Sequence, residues 1–96
     1  MYAVIFKAKI KKLDDTYFKM ANRMRELALD EYGCQDFTAV SEGRDEIAIS
    51  YWKSIDDIKK WKENSEHLLA QELGKEKWYE AYSVEIVEIL SSYVKE

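Results

Sequence analysis

Proline is absent from the 96 residues, glycine occurs three times and cysteine once. Without proline or a Gly/Ser-rich tract there is no linker composition, so the chain reads as one domain over 1–96. Cys34 has no partner for an internal disulfide, which fits a reducing, cytoplasmic setting. No apolar run approaches the roughly 20 residues that span a bilayer, and no membrane partner is expected. Met1 to Lys7 lacks the basic start and small-residue cleavage site of a signal peptide and reads as a strand. The net charge is -4 with acids and lysines interleaved, so no basic stripe exists to neutralise phosphates, which excludes nucleic acid. A Gly-rich phosphate loop, a zinc-spaced Cys/His set and a nucleophile elbow are all missing. The pairs Asp14-Asp15 and Asp56-Asp57 fall at helix starts, where capping accounts for them and no metal is implied.

What is plentiful is apolar and aromatic surface, at 47% and 14% of residues. That suffices for a packed core and leaves aromatic surface to line a cavity. A chain of this length buries only about 60 to 65% of its unfolded surface, so a partner chain would help it.

Tyr2 to Ile10 alternates, with Tyr2, Val4, Phe6, Ala8 and Ile10 on one face and Ala3 and Ile5 making the other face apolar for its first half. A helix over Asp15 to Tyr32 follows, capped from Leu13-Asp14-Asp15-Thr16. Its stripe is Tyr17, Met20, Ala21, Met24, Leu27 and Ala28, and Gly33 ends it. Gln35 to Glu42 reads as a more polar edge strand, joined through Glu42-Gly43-Arg44-Asp45 to a strand from Glu46 to Trp52. In the latter, Ile47, Ile49 and Tyr51 oppose Ala48, Ser50 and Trp52, so neither face looks solvated. Ser54 caps a second helix with Asp57 in an acidic capping box and a stripe of Ile55, Ile58 and Trp61. Asn64 and Ser65 are expected to break it and Gly74 to interrupt it again, before a last turn around Trp78 and Tyr79. Ser83 to Leu90 closes the chain as a strand, and 91–96 is a polar tail.

This order, βαββαβ, predicts an α+β, ferredoxin-like domain with a four-stranded antiparallel sheet. That topology centres the first and third strands, the two with apolar residues on both faces. Helices cover one face only, so the other calls for a second copy of the chain and a homodimer.

The stretch from Ile47 to Tyr82 holds all three tryptophans and the single histidine. Its Trp52-Lys53-Ser54, Trp61, Glu66-His67, Gln71, Gly74 and Trp78-Tyr79 resemble the antibiotic biosynthesis monooxygenase (ABM) family over about a third of the chain. The resemblance implies a dimeric α/β barrel that works without a cofactor. In the better understood members the deprotonated substrate itself reacts with oxygen. Haem-degrading relatives carry a first-strand asparagine, a tryptophan at the position of Trp61 and an iron-binding histidine ten residues further on. Here the first strand has Phe6-Lys7, and the iron position is Gln71, with His67 only six residues past Trp61. Haem degradation is therefore not expected.

Within that frame His67, the one side chain with an ordinary pKa near neutrality (about 6.5), is the candidate base or hydrogen-bond donor. The plainer alternative is a half-exposed residue near a helix start. Trp61 is the candidate wall of a pocket between sheet and helices, with Asn64, Gln71, Trp78 and Tyr51 as further substrate contacts; for Trp78 and Trp52, core is the simpler role. The expected activity is a cofactor-independent monooxygenase acting on a small aromatic or quinol-type molecule. The alternative is a non-catalytic binding or scaffold dimer, favoured if Trp61, Tyr79 and the Met20/Met24 stripe fill the pocket.

Overall fold

The computed structural model describes residues 1–11, 14–71 and 78–96, without the side chains of 66–71. Along it run β1 (Tyr2–Ile10), α1 (Asp15–Glu31), β2 (Asp36–Glu42), β3 (Asp45–Trp52), α2 (Ile55–Gln71) and β4 (Tyr79–Glu88). The strands form one antiparallel sheet in the order β2-β3-β1-β4, so β1 and β3 are central and β2 is an edge.

Local chemistry sets the element ends. Asp14 caps α1, its Oδ1 accepting from the Tyr17 amide at 2.8 Å. Past the helix end, Tyr32 N–H donates to Leu27 O and Cys34 N–H to Ala28 O, which needs the left-handed backbone that Gly33 supplies at φ 82°. Ser54 Oγ accepts from the amides of Asp56 and Asp57 at 3.1 and 3.4 Å, opening α2. Gly43 makes the β2–β3 turn at φ 61°.

Two expectations for the second half are corrected. Asn64 and Ser65 do not break the helix, because α2 is continuous from Ile55 to Gln71. The Asn64 amide donates to the Tyr32 hydroxyl at 2.9 Å, and Ser65 is buried, so tertiary packing overrides their local preference for turns. The closing strand starts at Tyr79 and ends at Glu88, earlier at both ends than Ser83 to Leu90. Tyr79 pairs with Ile10 across a bulge that shifts the register between Lys9 and Ile10. Trp78 precedes it as a helical residue, its carbonyl accepting from the Lys11 amide at 2.6 Å. Gly74 lies outside the described residues. In α2, Ile58 is buried, whereas Ile55 is exposed in the first turn.

Even-numbered residues of β1 and β3 face the helices. Val4 and Trp52 pack with Ala28, Cys34 and Ile58, while Ala8 and Ile10 pack with Tyr17, Trp78 and Tyr79. Among the described residues no helix covers the opposite face. There Ile5, Ile49 and Tyr51 are half-buried, and Ile47 and Val40 are 39% and 59% exposed. Past β4, Leu90, Tyr93 and Val94 are also exposed. Among the described residues no helix is long and apolar enough to cross a membrane.

Trp52 is completely buried and its indole N–H donates to Ser50 Oγ at 2.8 Å. Trp52→Ala should lower the unfolding free energy by about 3 to 5 kcal/mol, measured by urea denaturation. Ile55→Ala, at an exposed position in the first turn of α2, should change it by well under half of that.

Candidate functional site

A mostly apolar cavity of about 200 Å³ lies between the helix-facing side of the sheet and the two helices. Its floor is made by alternate residues of the sheet: Phe37 and Ala39 of β2, Ala48 and Ser50 of β3, Val4 and Phe6 of β1, Val84 and Ile86 of β4. Small side chains in the middle of β2 and β3 leave the space. α1 contributes Tyr17, Ala21, Asn22, Met24 and Arg25, and α2 contributes Ile58, Trp61, Lys62 and Ser65. Along β4 the lining is open to solvent, with Tyr82, Val84 and Ile86 46%, 38% and 43% exposed. A cavity of roughly 150 Å³ already holds a benzene ring, so this one has room for an aromatic ligand. Trp61, Tyr79, Met20 and Met24 do not fill it.

Polar groups concentrate at two ends. At one, Glu46 sits in the wall at the start of β3, and the Tyr17 hydroxyl donates to its Oε2. Burial raises the Glu46 carboxyl above its ordinary pKa. Tyr79 is raised well above the usual phenol range by burial first, then by the negative charge of Glu46 and by Tyr82, so it stays protonated. Phe6 stacks on Tyr82 at 6.1 Å and meets Tyr79 edge-on at 5.5 Å, closing an aromatic corner. At the other end, the Arg25 guanidinium lies 5.9 Å over the Phe37 ring, and Asn22 and Lys62 also line the cavity. Phe37 pairs with Ser50, four residues along β3 from Glu46, so the two ends are about 13 Å apart at the usual rise per residue. Ser65 Oγ is buried and has no hydrogen-bond partner among the described residues.

Of the residues singled out in the sequence, Trp61 lines the cavity. Its indole N–H is committed to Met24 O at 2.9 Å, and its ring lies 5.3 Å from Trp52 and 6.2 Å from Phe37; it is a wall and not a donor. Asn64 spends its amide on Tyr32 and is not brought to the cavity. Trp78 is fully buried in the core against Tyr17, 5.7 Å between rings. Tyr51 points to the other sheet face, one residue out of phase with Ser50 and Trp52. The side chains of His67 and Gln71 lie outside the described residues. Glu46, Tyr17 and Arg25 were not anticipated. In the sequence, Glu46 is one acid among nineteen; alternation puts it in phase with Ala48, Ser50 and Trp52, and only the packing of the helices makes that face the cavity floor.

Cys34 is buried in the core beside Trp52, donates to Asp36 O at 3.1 Å and is raised in pKa by burial, which makes it an inert thiol. Among the described residues no group of three or more His, Cys, Asp or Glu is placed to hold a metal ion.

No family model matches the chain. The uncharacterized protein YqjZ of Bacillus subtilis (strain 168) is 40% identical over 90 residues, covering 92% of this chain and 78% of YqjZ. Among solved structures, SnoaB, a cofactor-independent oxygenase from Streptomyces nogalater, superposes with a TM-score of 0.77 at 9% identity, covering 98% of this chain and 97% of SnoaB. Rv0793 from Mycobacterium tuberculosis gives 0.76 at 14% identity over 97% and 98% of the two chains. The crystal structure of an antibiotic biosynthesis monooxygenase gives 0.75 at 14% identity over 95% and 100%. At these identities the structures speak for the fold, and the match to YqjZ for kinship. The chain therefore belongs to the same family as YqjZ, and its ferredoxin-like domain has the antibiotic biosynthesis monooxygenase fold.

Proposed function

We propose that the protein is a cofactor-independent monooxygenase whose substrate is a small electron-rich aromatic of the phenol or quinol type, bound in the cavity between sheet and helices. The observation that carries this reading is an apolar, aromatic-walled cavity of ring size with an acid and three tyrosines gathered at one end. Such chemistry asks little else of a protein. An electron-rich ring that has lost a proton passes an electron to dioxygen directly, so the site need only exclude water, orient the ring and take the proton. SnoaB, which has the same fold, is itself described as a cofactor-independent oxygenase.

In this reading Trp61, Phe6 and Phe37 hold the ring, Arg25 and Lys62 suit an acidic substituent at the end of the cavity away from Glu46, and His67 is a candidate proton acceptor or donor. The competing reading, a binding protein that holds a metabolite without turning it over, uses the same cavity and differs only in oxygen consumption.

The working unit is proposed to be a homodimer. Ile5, Ile47, Ile49, Val40 and Tyr51 make an apolar sheet face that no helix covers among the described residues. Leaving such side chains in water forfeits on the order of 1.5 to 3 kcal/mol each, a large share of a small domain's stability. The same face of a second copy would cover them, with the exposed segment after β4 free to reach onto the partner.

Oxygen-electrode assays with 1,4-naphthoquinol should show protein-dependent uptake above the autoxidation rate. Ala48→Leu, which fills the cavity floor, should abolish that excess while leaving the thermal transition within a few degrees; uptake unaffected by a filled cavity would place the reaction elsewhere. His67→Ala tests that residue separately, and equal rates would remove it from catalysis. Sedimentation at micromolar concentration should show a species of twice the 11.4 kDa chain mass, and Ile49→Asp should dissociate or unfold it.

A further inference from the structure

We infer that Glu46 is the proton acceptor of this cavity, taking the hydroxyl proton of a bound phenol while the Tyr17 hydroxyl holds the carboxylate in place. The inference rests on the aromatic-substrate reading above and adds to it the group that does the acid–base work.

Three features of the fold converge on Glu46. It is the second residue of β3, pairing with Ala8 on one side and Ser41 on the other, and this register turns it into the cavity between two strands that carry no charge at that level. Tyr17 on α1 donates to Oε2, leaving lone pairs on both oxygens still able to accept. No lysine or arginine forms an ion pair with it among the described residues: Lys9 is engaged by Asp45 at 3.4 Å and Arg44 by Glu80 at 3.9 Å. The titratable groups beside it are phenols, Tyr17 from α1 and Tyr79 and Tyr82 from β4, with Arg25 and Lys62 at the far end of the cavity.

A carboxylate placed so is a poor structural element and a good base. Desolvation raises its basicity, as the upward shift of its pKa records. Among the described residues no cation neutralises it, and the tyrosines can solvate the negative charge before the proton moves. In the step itself the phenol O–H bond breaks, the carboxyl O–H bond forms and the negative charge passes to the phenolate, which is the form that gives an electron to dioxygen.

The ionised Glu46 is the active form. Because its pKa is raised, activity should fall on acidification along a limb lying above the ordinary glutamate value of about 4.3. Glu46→Gln keeps the shape and removes the base. It should lower kcat/KM by on the order of 100-fold or more and erase that limb. Tyr17→Phe removes a donor that favours the charged form, so its limb should move to higher pH, which a merely structural role for Tyr17 would not produce.

A direct readout independent of oxygen chemistry uses 2-naphthol, a phenol that becomes a strong acid when excited. Bound to saturation and excited beyond the tryptophan absorption, it should emit as naphtholate in the wild type at pH 7. That emission should revert to the neutral-naphthol band as the pH falls through the acidic limb, and it should be neutral throughout in Glu46→Gln. Naphtholate emission without quinol-dependent oxygen uptake would keep Glu46 as the acceptor and reject the oxygenase reading. Failure of 2-naphthol to bind, or the same emission from wild type and Glu46→Gln, would overturn the assignment.

Discussion

Successive side chains of a strand point to opposite sides of the sheet, and both sets are apolar over the first half of β1 and over β3 from Ile47 onward, Ser50 apart. Everything else in the molecule answers to that constraint. The even-numbered set, with Val4, Ala8, Ile10 and Trp52, takes α1 and α2 as its cover and forms the core. The odd-numbered set, with Ile5, Ile47, Ile49 and Tyr51, has no helix over it among the described residues, and on the proposed assembly it meets its own image in a second copy.

The cavity is a consequence of how the first of these faces is filled. At each end of the helix layer large side chains close the gap: Trp52, Ile58 and Trp61 at one, Tyr17, Trp78 and Tyr79 at the other. Between them the sheet presents Ala39, Ala48 and Ser50 and α1 presents Ala21, too short to meet across the layer. The space left is aromatic at its rim because the two core clusters flank it. It is acidic at one end because the β2–β3 turn places Glu46 on the inward phase of β3.

Strand and helix identities were legible from period and capping, since β1, β3 and α1 carry strong, unbroken patterns between clear end signals. The later elements were less so. Asn64 and Ser65 look like a break only while their side chains have no tertiary partner, and Asn64 has Tyr32. Tyr79 and Tyr82, three apart, suggest helical spacing, but a bulge opposite Lys9 and Ile10 brings both to the cavity from a strand. The tryptophan wall was foreseeable from position. The commitment of the Trp61 indole to a backbone carbonyl was not, nor was the inward phase of Glu46, because both depend on where α1 lies over the sheet.

The central claim is that an aromatic ring occupies this cavity with its hydroxyl at the acidic end. The most direct measurement is a crystal structure of the protein with 2-naphthol bound. The account predicts the ring between Phe6, Ala48 and Trp61, with its oxygen at ordinary hydrogen-bond distance, about 2.5 to 3.0 Å, from the Glu46 carboxylate. A ring seated outside the cavity, or one whose hydroxyl turns to Arg25 and Lys62 with Glu46 left untouched, would contradict it.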